Sequence, residues 1–258
     1  MSTLNILIID SDPAVINTPK RAQYGETTGE GYATALSACR PDIKIKIICP
    51  YDGVTLPDLA EFDGAVFTGS AVEWSTDDTR AEPLAGVMRA CFARGIPSLG
   101  SCNGMQLAAS VLGGASQPSP NGNEDGLATG ITRTDAGRNH PFLTGRVDGY
   151  SAPCVHRDEV TRLPEGAVVL AGNDHSAVQA FAYEKNGVRF WGVQYHPEYT
   201  LPYIGKGLLD WGRLPAEIAD DVALADTEPA AARRLGVRIQ DLQPEMRTSE
   251  IRNWLQSL

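Results

Sequence analysis

The sequence contains no apolar run that approaches the roughly 18–20 residues of a transmembrane helix. Residues 1–5 also lack the basic region and the longer apolar stretch of a signal peptide. We therefore expect a cytoplasmic protein without a membrane partner. Basic residues are scattered and outnumbered, with 22 Lys and Arg against 32 Asp and Glu and a net charge of −10. Because phosphate binding needs a basic patch, nucleic acid is not expected as a partner either.

Cysteine is scarce, and the five cysteines show no short repeated spacing. An odd number cannot pair completely, so we do not expect a disulfide framework. Cys39, Cys49 and Cys91 fall in apolar helix or strand patterns that are typical of a core. Cys154 and His156 form a Cys-x-His pair, but zinc usually needs three or four protein ligands. No further ligand stands near this pair in the sequence, and we predict no metal site.

The most informative motif is Gly-Ser-Cys-Asn-Gly-Met-Gln at residues 100–106. It joins a strand-like run to a helix-like run, and its glycines permit a turn too tight for side chains. Such a turn projects the side chain of Cys102 from the backbone, and the N-terminus of the following helix stabilises its thiolate form. The motif predicts a nucleophilic cysteine. The alternative is a small buried cysteine in a glycine-rich turn.

A second motif, His-Pro-Glu at residues 196–198, ends a strand-like run. Residues two apart in an extended chain face the same side, so Glu198 is placed to orient the imidazole of His196. A cysteine nucleophile, a histidine base and an orienting carboxylate form the triad used for acyl transfer. This pairing favours the catalytic interpretation of Cys102. The competing histidines for the role of base are His140, His156 and His175.

Strands and helices alternate along the first hundred residues, which predicts an α/β fold with a mostly parallel central sheet and helices on both faces. The predicted strands are residues 5–10, 43–49, 64–68 and 96–100, and the predicted helices are residues 34–39, 81–94 and 105–112. Strands near residues 147–150, 168–171, 178–183 and 188–195 are expected to be antiparallel, with Asn186-Gly187 as a type I′ hairpin turn. Residues 114–140 are predicted to be a surface loop. In an open α/β sheet the active site lies at the carboxyl ends of the strands, where residues 68–69 and 100–102 fall.

The motifs at residues 100–106 and 196–198 together resemble the class I, triad-type glutamine amidotransferases, of the kind found in GMP synthetase. Residues 65–70, Ala-Val-Phe-Thr-Gly-Ser, resemble the strand and turn of that family that supply an oxyanion-hole amide. Residues 155–167 are similar to its H-x-D-x-V…L-P-x-G-A stretch. The resemblance implies a flavodoxin-like catalytic domain over residues 1–200. Residues 201–258 are then a helical C-terminal extension packed on the same domain.

The resemblance also implies roles for individual residues. The backbone amides of Gly69 and Asn103 are expected to form the oxyanion hole, the second because it follows the nucleophile. Gln106 is expected to face the γ-glutamyl group, with Ser70 and His156 shaping the substrate pocket. Apart from the resemblance, Trp74 falls in a predicted loop near the strand ends and is the first candidate for an apolar wall against a larger leaving amine. Two further aromatic residues, Tyr24 and Tyr32, are candidates for the same wall, and residues 24–31 are a candidate mobile loop over the site.

The implied chemistry needs no cofactor. It is attack on a γ-carboxamide, formation of a γ-glutamyl thioester, and hydrolysis to glutamate. Three functions stay open at this point. The protein hydrolyses an N-substituted γ-glutamyl amide or glutamine, it is a glutaminase subunit that passes ammonia to a separate synthase, or it is a catalytically silent regulatory subunit. The absence of a synthetase domain in the sequence favours the first.

Overall fold

The computed structural model describes residues 3–258, which form a mixed nine-stranded sheet, a two-stranded sheet and eleven α-helices. The strands are β1 (Asn5–Ile9), β2 (Lys44–Ile48), β3 (Gly64–Phe67), β4 (Ser98–Ser101), β5 (Ala115–Pro118), β6 (Glu124–Arg133), β7 (Tyr150–His156), β8 (Asp158–Arg162), β9 (Val168–Gly172), β10 (Ala180–Lys185) and β11 (Val188–Val193). The helices are α1 (Ala14–Tyr24), α2 (Thr28–Cys39), α3 (Glu82–Ala93), α4 (Asn103–Val111), α5 (Asp135–Asn139), α6 (Leu201–Asp210), α7 (Ala216–Leu224), α8 (Pro229–Arg234), α9 (Ile239–Leu242), α10 (Pro244–Arg247) and α11 (Ser249–Ser257). Within these residues no helix is both long enough and apolar enough to cross a bilayer.

The large sheet has the strand order β2-β1-β3-β4-β11-β10-β9-β6-β7. Its first five strands are parallel, and from β11 onward each neighbouring pair is antiparallel. The predicted α/β class with a mostly parallel core and antiparallel strands in the second half is therefore confirmed. The hairpin between β10 and β11 turns at Asn186 and Gly187, whose φ angles of 56° and 81° are those of a type I′ turn.

Both faces of the parallel half are covered, because successive residues of its strands join different cores. In β1, Ile6 and Ile8 belong to the core beneath α2 and α11, whereas Leu7 and Ile9 belong to the core beneath α3 and α4. Residues that alternate in this way and are all buried identify a central parallel strand. The C-terminal helix α11 closes the first of these cores with Ile251, Trp254 and Leu255.

Several local predictions were wrong. Residues 114–140 are not a surface loop, because they contain β5, α5 and the ten-residue strand β6. Glycines in the left-handed region, Gly126 and Gly130, let β6 bend so that its first part pairs with β7 and its last part with β9. The strand predicted at residues 147–150 begins only at Tyr150. Residues 24–31 are not a loop but the end of α1, a short turn and the first turn of α2, which Thr27 caps.

Candidate active site

The turn at Cys102 is a strained strand-to-helix elbow. Cys102 has φ 50° and ψ −108°, a backbone conformation that residues with a Cβ seldom adopt. The flanking glycines are needed for close approach, because a Cβ on Gly100 would lie 2.7 Å from the carbonyl carbon of Gly104, and one on Gly104 would lie 2.2 Å from the oxygen of Phe67. The amide of Cys102 donates to Val193 O at 2.8 Å, which fixes the elbow to strand β11.

His196 lies just beyond β11, the strand that neighbours the elbow. Its Nδ1 is 2.6 Å from Glu198 Oε1, and its ring stacks on Tyr199 with centroids 4.2 Å apart. Burial alone would lower the pKa of His196, but the charge of Glu198 and the interaction with Cys102 outweigh it and raise the pKa to about 10. The raised pKa favours the protonated form of the ring. No group within residues 3–258 meets hydrogen-bond geometry with its Nε2, the nitrogen available for proton transfer.

Gly69 lies directly against this imidazole, since a Cβ there would be 2.5 Å from His196 Cε1. The ladder of β3 ends at Thr68, whose amide donates to Ile9 O at 3.2 Å. Neither the Gly69 amide nor the Asn103 amide donates a hydrogen bond to another group of the described chain. Asn103 directly follows Cys102, and Gly69 packs on His196, so both of these amides belong to the region in which an oxyanion hole would need free donors.

Asp12 holds the turn that follows Gly69. Its Oδ1 accepts from Ser70 Oγ at 2.9 Å and from the Ala71 amide at 2.7 Å, and its Oδ2 pairs with Lys20 at 2.7 Å. The hydroxyl of Ser70, predicted to shape the pocket, is thus engaged within the protein. Burial raises the pKa of the neighbouring Asp10, with the charge of Asp12 acting in the same direction.

A cavity of about 550 Å³ opens over the sulfur. The residues predicted from sequence that line it are Ser70, Trp74, Cys102, Asn103, Gln106, His156 and His196. Glu198 and Gly69 are not part of this lining but contact His196, which is. The lining also contains residues that were not predicted, among them Lys20, Arg157, Asp158, Tyr199, Trp211 and Arg213. Tyr199 directly follows the His-Pro-Glu motif, and Arg157 and Asp158 lie in the H-x-D motif, so sequence position alone pointed to these three.

Gln106 and Trp74 are both fixed at the cavity wall. Gln106 Nε2 donates to Asp158 O at 2.6 Å and to Gln194 Oε1 at 3.2 Å, which leaves the Gln106 carbonyl oxygen as a free acceptor. Trp74 Nε1 donates to Tyr51 OH at 3.1 Å. The other two aromatic candidates lie elsewhere. Tyr32 is fully buried, and Tyr24 packs against Tyr203.

Behind His156 the fold assembles a polar cluster that the sequence spacing did not show. Glu124 joins Cys154 and His156, and their ligand atoms lie within 4.8 Å of one another, so the chemistry of the set suits a metal ion. Burial alone would raise the pKa of Glu124, but hydrogen bonds from His156 and Asn173 lower it. Glu124 Oε2 lies 2.8 Å from His156 Nε2 and 3.5 Å from Cys154 Sγ. Hydrogen bonding within the protein therefore accounts for the arrangement.

Comparison with known proteins agrees with this geometry. The sequence profile described as glutamine amidotransferase class-I matches residues 43–212. The chain belongs to the class-I glutamine amidotransferase family. A gamma-glutamyl-L-1-hydroxyisopropylamide hydrolase from a Pseudomonas species is 36% identical over 209 residues, which are 78% of this chain and 69% of that protein. The predicted family and the prediction of an enzyme of this type are confirmed.

Two other similarities are narrower. A glutamine-hydrolyzing GMP synthase from Symbiobacterium thermophilum is 36% identical over 57% of this chain, but the match spans only 26% of that synthase. A solved glutamine amidotransferase from Thermotoga maritima superposes with a TM-score of 0.66 at 18% identity, and the match covers 100% of this chain and 98% of that one. The second similarity bears on the fold alone.

Proposed function

We propose that this amidotransferase-family enzyme hydrolyses N-substituted γ-glutamyl amides to glutamate and a free amine. The observation that carries the proposal is the cavity of about 550 Å³ above Cys102, with Trp74 and Trp211 in its lining. Cavities of this size hold drug-sized ligands, so the space exceeds what the amide group of glutamine requires. The similarity to a hydrolase of a γ-glutamyl hydroxyalkylamide supports the same substrate class.

The proposed reaction begins with the Cys102 thiolate and the His196 imidazolium. The sulfur attacks the γ-carbonyl carbon, and the amides of Gly69 and Asn103 donate to the oxygen as it becomes negative. His196 Nε2 then gives its proton to the leaving nitrogen, the C–N bond breaks, and the amine departs. The γ-glutamyl thioester remains on the sulfur.

The second half returns the enzyme to its starting state. The now neutral His196 accepts a proton from water, whose oxygen attacks the thioester carbonyl. The C–S bond breaks to release glutamate and regenerate the thiolate. Glu198 orients the ring and stabilises the imidazolium through its 2.6 Å contact at Nδ1.

A second candidate function is ammonia supply to a separate synthase, which the match to GMP synthase favours. The two functions share every chemical step and differ in the leaving group and the need for a partner. The silent regulatory subunit is disfavoured, because Cys102 and His196 line one cavity and Glu198 Oε1 lies 2.6 Å from His196 Nδ1. A cytoplasmic location is part of the proposal, and it is supported by the five cysteines, all of which are free.

The test is a panel of γ-glutamyl alkylamides and glutamine, with glutamate release as the readout. We expect release from the substituted amides by the protein alone. Trp74→Ala should raise KM for bulky amides, because it removes apolar contact worth about 1–3 kcal/mol, and should leave KM for glutamine nearly unchanged. Tyr24→Ala, outside the cavity, is the matched control.

Glutamine hydrolysis that appears only with an added synthase would instead assign the ammonia-supplying role. Equal effects of Trp74→Ala on glutamine and on bulky amides would remove the argument for an amine-binding wall.

A further inference from the structure

The segment that carries His196 and Glu198 is held by side chains from the C-terminal residues. Arg247 Nη1 donates to Tyr199 O at 2.6 Å and lies 3.2 Å from Pro197 O. These two carbonyls flank Glu198 on either side in the chain. Arg247 is 7% exposed, and a buried guanidinium that joins two carbonyls in this way fixes the direction of the residue between them.

Glu250 holds the residue before His196. It accepts from Tyr195 OH at 2.8 Å and forms a bidentate pair with Arg146 at 2.7 and 2.9 Å. Glu250 and the guanidinium of Arg146 are fully buried, so each depends on the other for compensation of its charge. Residues 195, 197 and 199 are therefore anchored to one short stretch of the C-terminus, residues 247–250.

We infer that Arg247 is a positioning residue for the triad, and that it sets the orientation of Glu198 and, through it, of His196. This inference rests on the proposed function only for the reaction used to test it. The family profile matches residues 43–212, which include Cys102, His196 and Glu198. Residues 247–250 lie outside that range, so the residues that support the triad segment are not part of the matched region.

The electrostatics favour the same role. Glu198 Oε2 has no hydrogen-bond partner among residues 3–258, and neither has Arg247 Nε. Among these residues the carboxylate of Glu198 is thus hydrogen-bonded only to His196. Burial lowers the pKa of Arg247, and the charges of Asp226 and Glu198 oppose that effect.

A second cavity gives access to this contact. It has a volume of about 330 Å³, and its lining includes Glu198, Tyr199, Arg247 and Arg252. Removal of the Arg247 side chain would enlarge this space beside the two carbonyls, and a small guanidinium ion from solution then has a route to the vacated position. Arg252 lines the same cavity but donates to Glu245 O and Thr248 Oγ1, away from the triad segment.

The test compares Arg247→Ala, Arg247→Lys and the control Arg252→Ala. Because misplacement of a catalytic group by about 1 Å costs about 10²-fold, we expect kcat of Arg247→Ala to fall by about that factor with KM little changed. Millimolar methylguanidinium should restore part of the loss in Arg247→Ala and none in Arg252→Ala. Arg247→Lys, which keeps the charge but cannot present the planar fork, should be intermediate.

Alkylation of Cys102 by iodoacetamide separates this inference from the proposed function. If the wild type hydrolyses no γ-glutamyl amide, the function fails, and the alkylation rate still reports whether His196 supports the thiolate. We expect slower alkylation in Arg247→Lys than in Arg252→Ala. A wild-type alkylation rate in Arg247→Lys, or loss of activity in Arg247→Ala that the ion does not relieve, would overturn the positioning role. Poor folding of Arg247→Ala leaves Arg247→Lys to decide.

Discussion

The proposed nucleophile and the proposed base of this site directly follow neighbouring strands, but different kinds of contact position them. The elbow at Cys102 is shaped by backbone packing, with Gly100 and Gly104 where no Cβ fits. The segment around His196 and Glu198 is fixed by side chains, among them Arg247 and Glu250 from the far end of the chain. The comparison teaches that the two halves of one triad have different vulnerabilities. We expect the elbow to be disrupted by larger side chains at its glycines. We expect the segment around His196 to be disrupted by removal of the side chains that hold it.

The largest expected effects come from the reacting groups themselves. Cys102→Ala should lower kcat by at least about 10⁴-fold, His196→Ala by a similar factor, and Glu198→Gln by roughly 100-fold less than either, because the orienting carboxylate sets geometry without moving the proton. Steady-state kinetics on one γ-glutamyl amide, with thermal unfolding to confirm an intact fold, would measure this order. If Glu198→Gln were more damaging than His196→Ala, the roles of the two residues would be reversed.

Three glycine substitutions, with smaller expected effects, compare the elbow with the segment around His196. Gly104→Ala should destabilise the protein by about 1–3 kcal/mol or more, because its Cβ would meet backbone that cannot move aside. Gly69→Ala should instead lower kcat by about 10²-fold, because its Cβ would displace the His196 ring. Gly86→Ala is the control, since it lies inside α3 with no atom nearer than 3.9 Å to the added Cβ.

The control should stabilise the fold by about 0.5–1 kcal/mol, the usual gain of alanine over glycine in a helix. Denaturant unfolding measures the change in stability of all three variants, and steady-state kinetics measures the change in kcat. A Gly69→Ala enzyme with unchanged kcat would contradict the close packing of that glycine on the base.

The last expected effect is on the pH dependence of stability, and its measurement does not need the reaction. The pKa of His196 is raised to about 10 in the folded protein, above the value of about 6.5 in an unfolded chain. Its protonated form therefore stabilises the fold fully below about pH 6.5, and this contribution is lost as the pH rises toward about 10. The difference in unfolding free energy between the wild type and His196→Gln should shrink across that window. A constant difference would show that the imidazolium is not stabilised in the fold.

The parallel half of the fold and the contact between His196 and Glu198 could be predicted from the sequence, because both depend on local pattern. Strands such as β1 are continuous apolar runs. In the elbow and in the His-Pro-Glu motif, the residues that matter lie within a few positions of one another in the sequence. Helix α1 was missed because it contains Pro19 and buries Asn17 and Lys20, so it lacks an apolar face. Strand β6 was missed because its glycines, which permit its bend, are typical of a loop.

The support of the base segment left no local signal at all. Arg247 and Glu250 stand three apart on successive helices and have the pattern of an exposed ion pair. In the fold they instead contact partners about 50 to 100 residues earlier in the chain. Such polar contacts depend on which elements meet in three dimensions. Hydrophobic periodicity and secondary-structure propensity do not show which distant elements pack together.

The four tryptophans divide between the cavity and the core, and this division gives the protein a built-in optical probe. Trp74 and Trp211 line the cavity, and Trp211 is 41% exposed. Trp191 and Trp254 are buried, at 4% and 1% exposure. A compound that enters the cavity changes the surroundings of Trp74 and Trp211. Trp191 and Trp254 stay unchanged and serve as an internal reference. If Cys102→Ala is inactive as expected, its intrinsic fluorescence offers a label-free titration of γ-glutamyl amides without turnover.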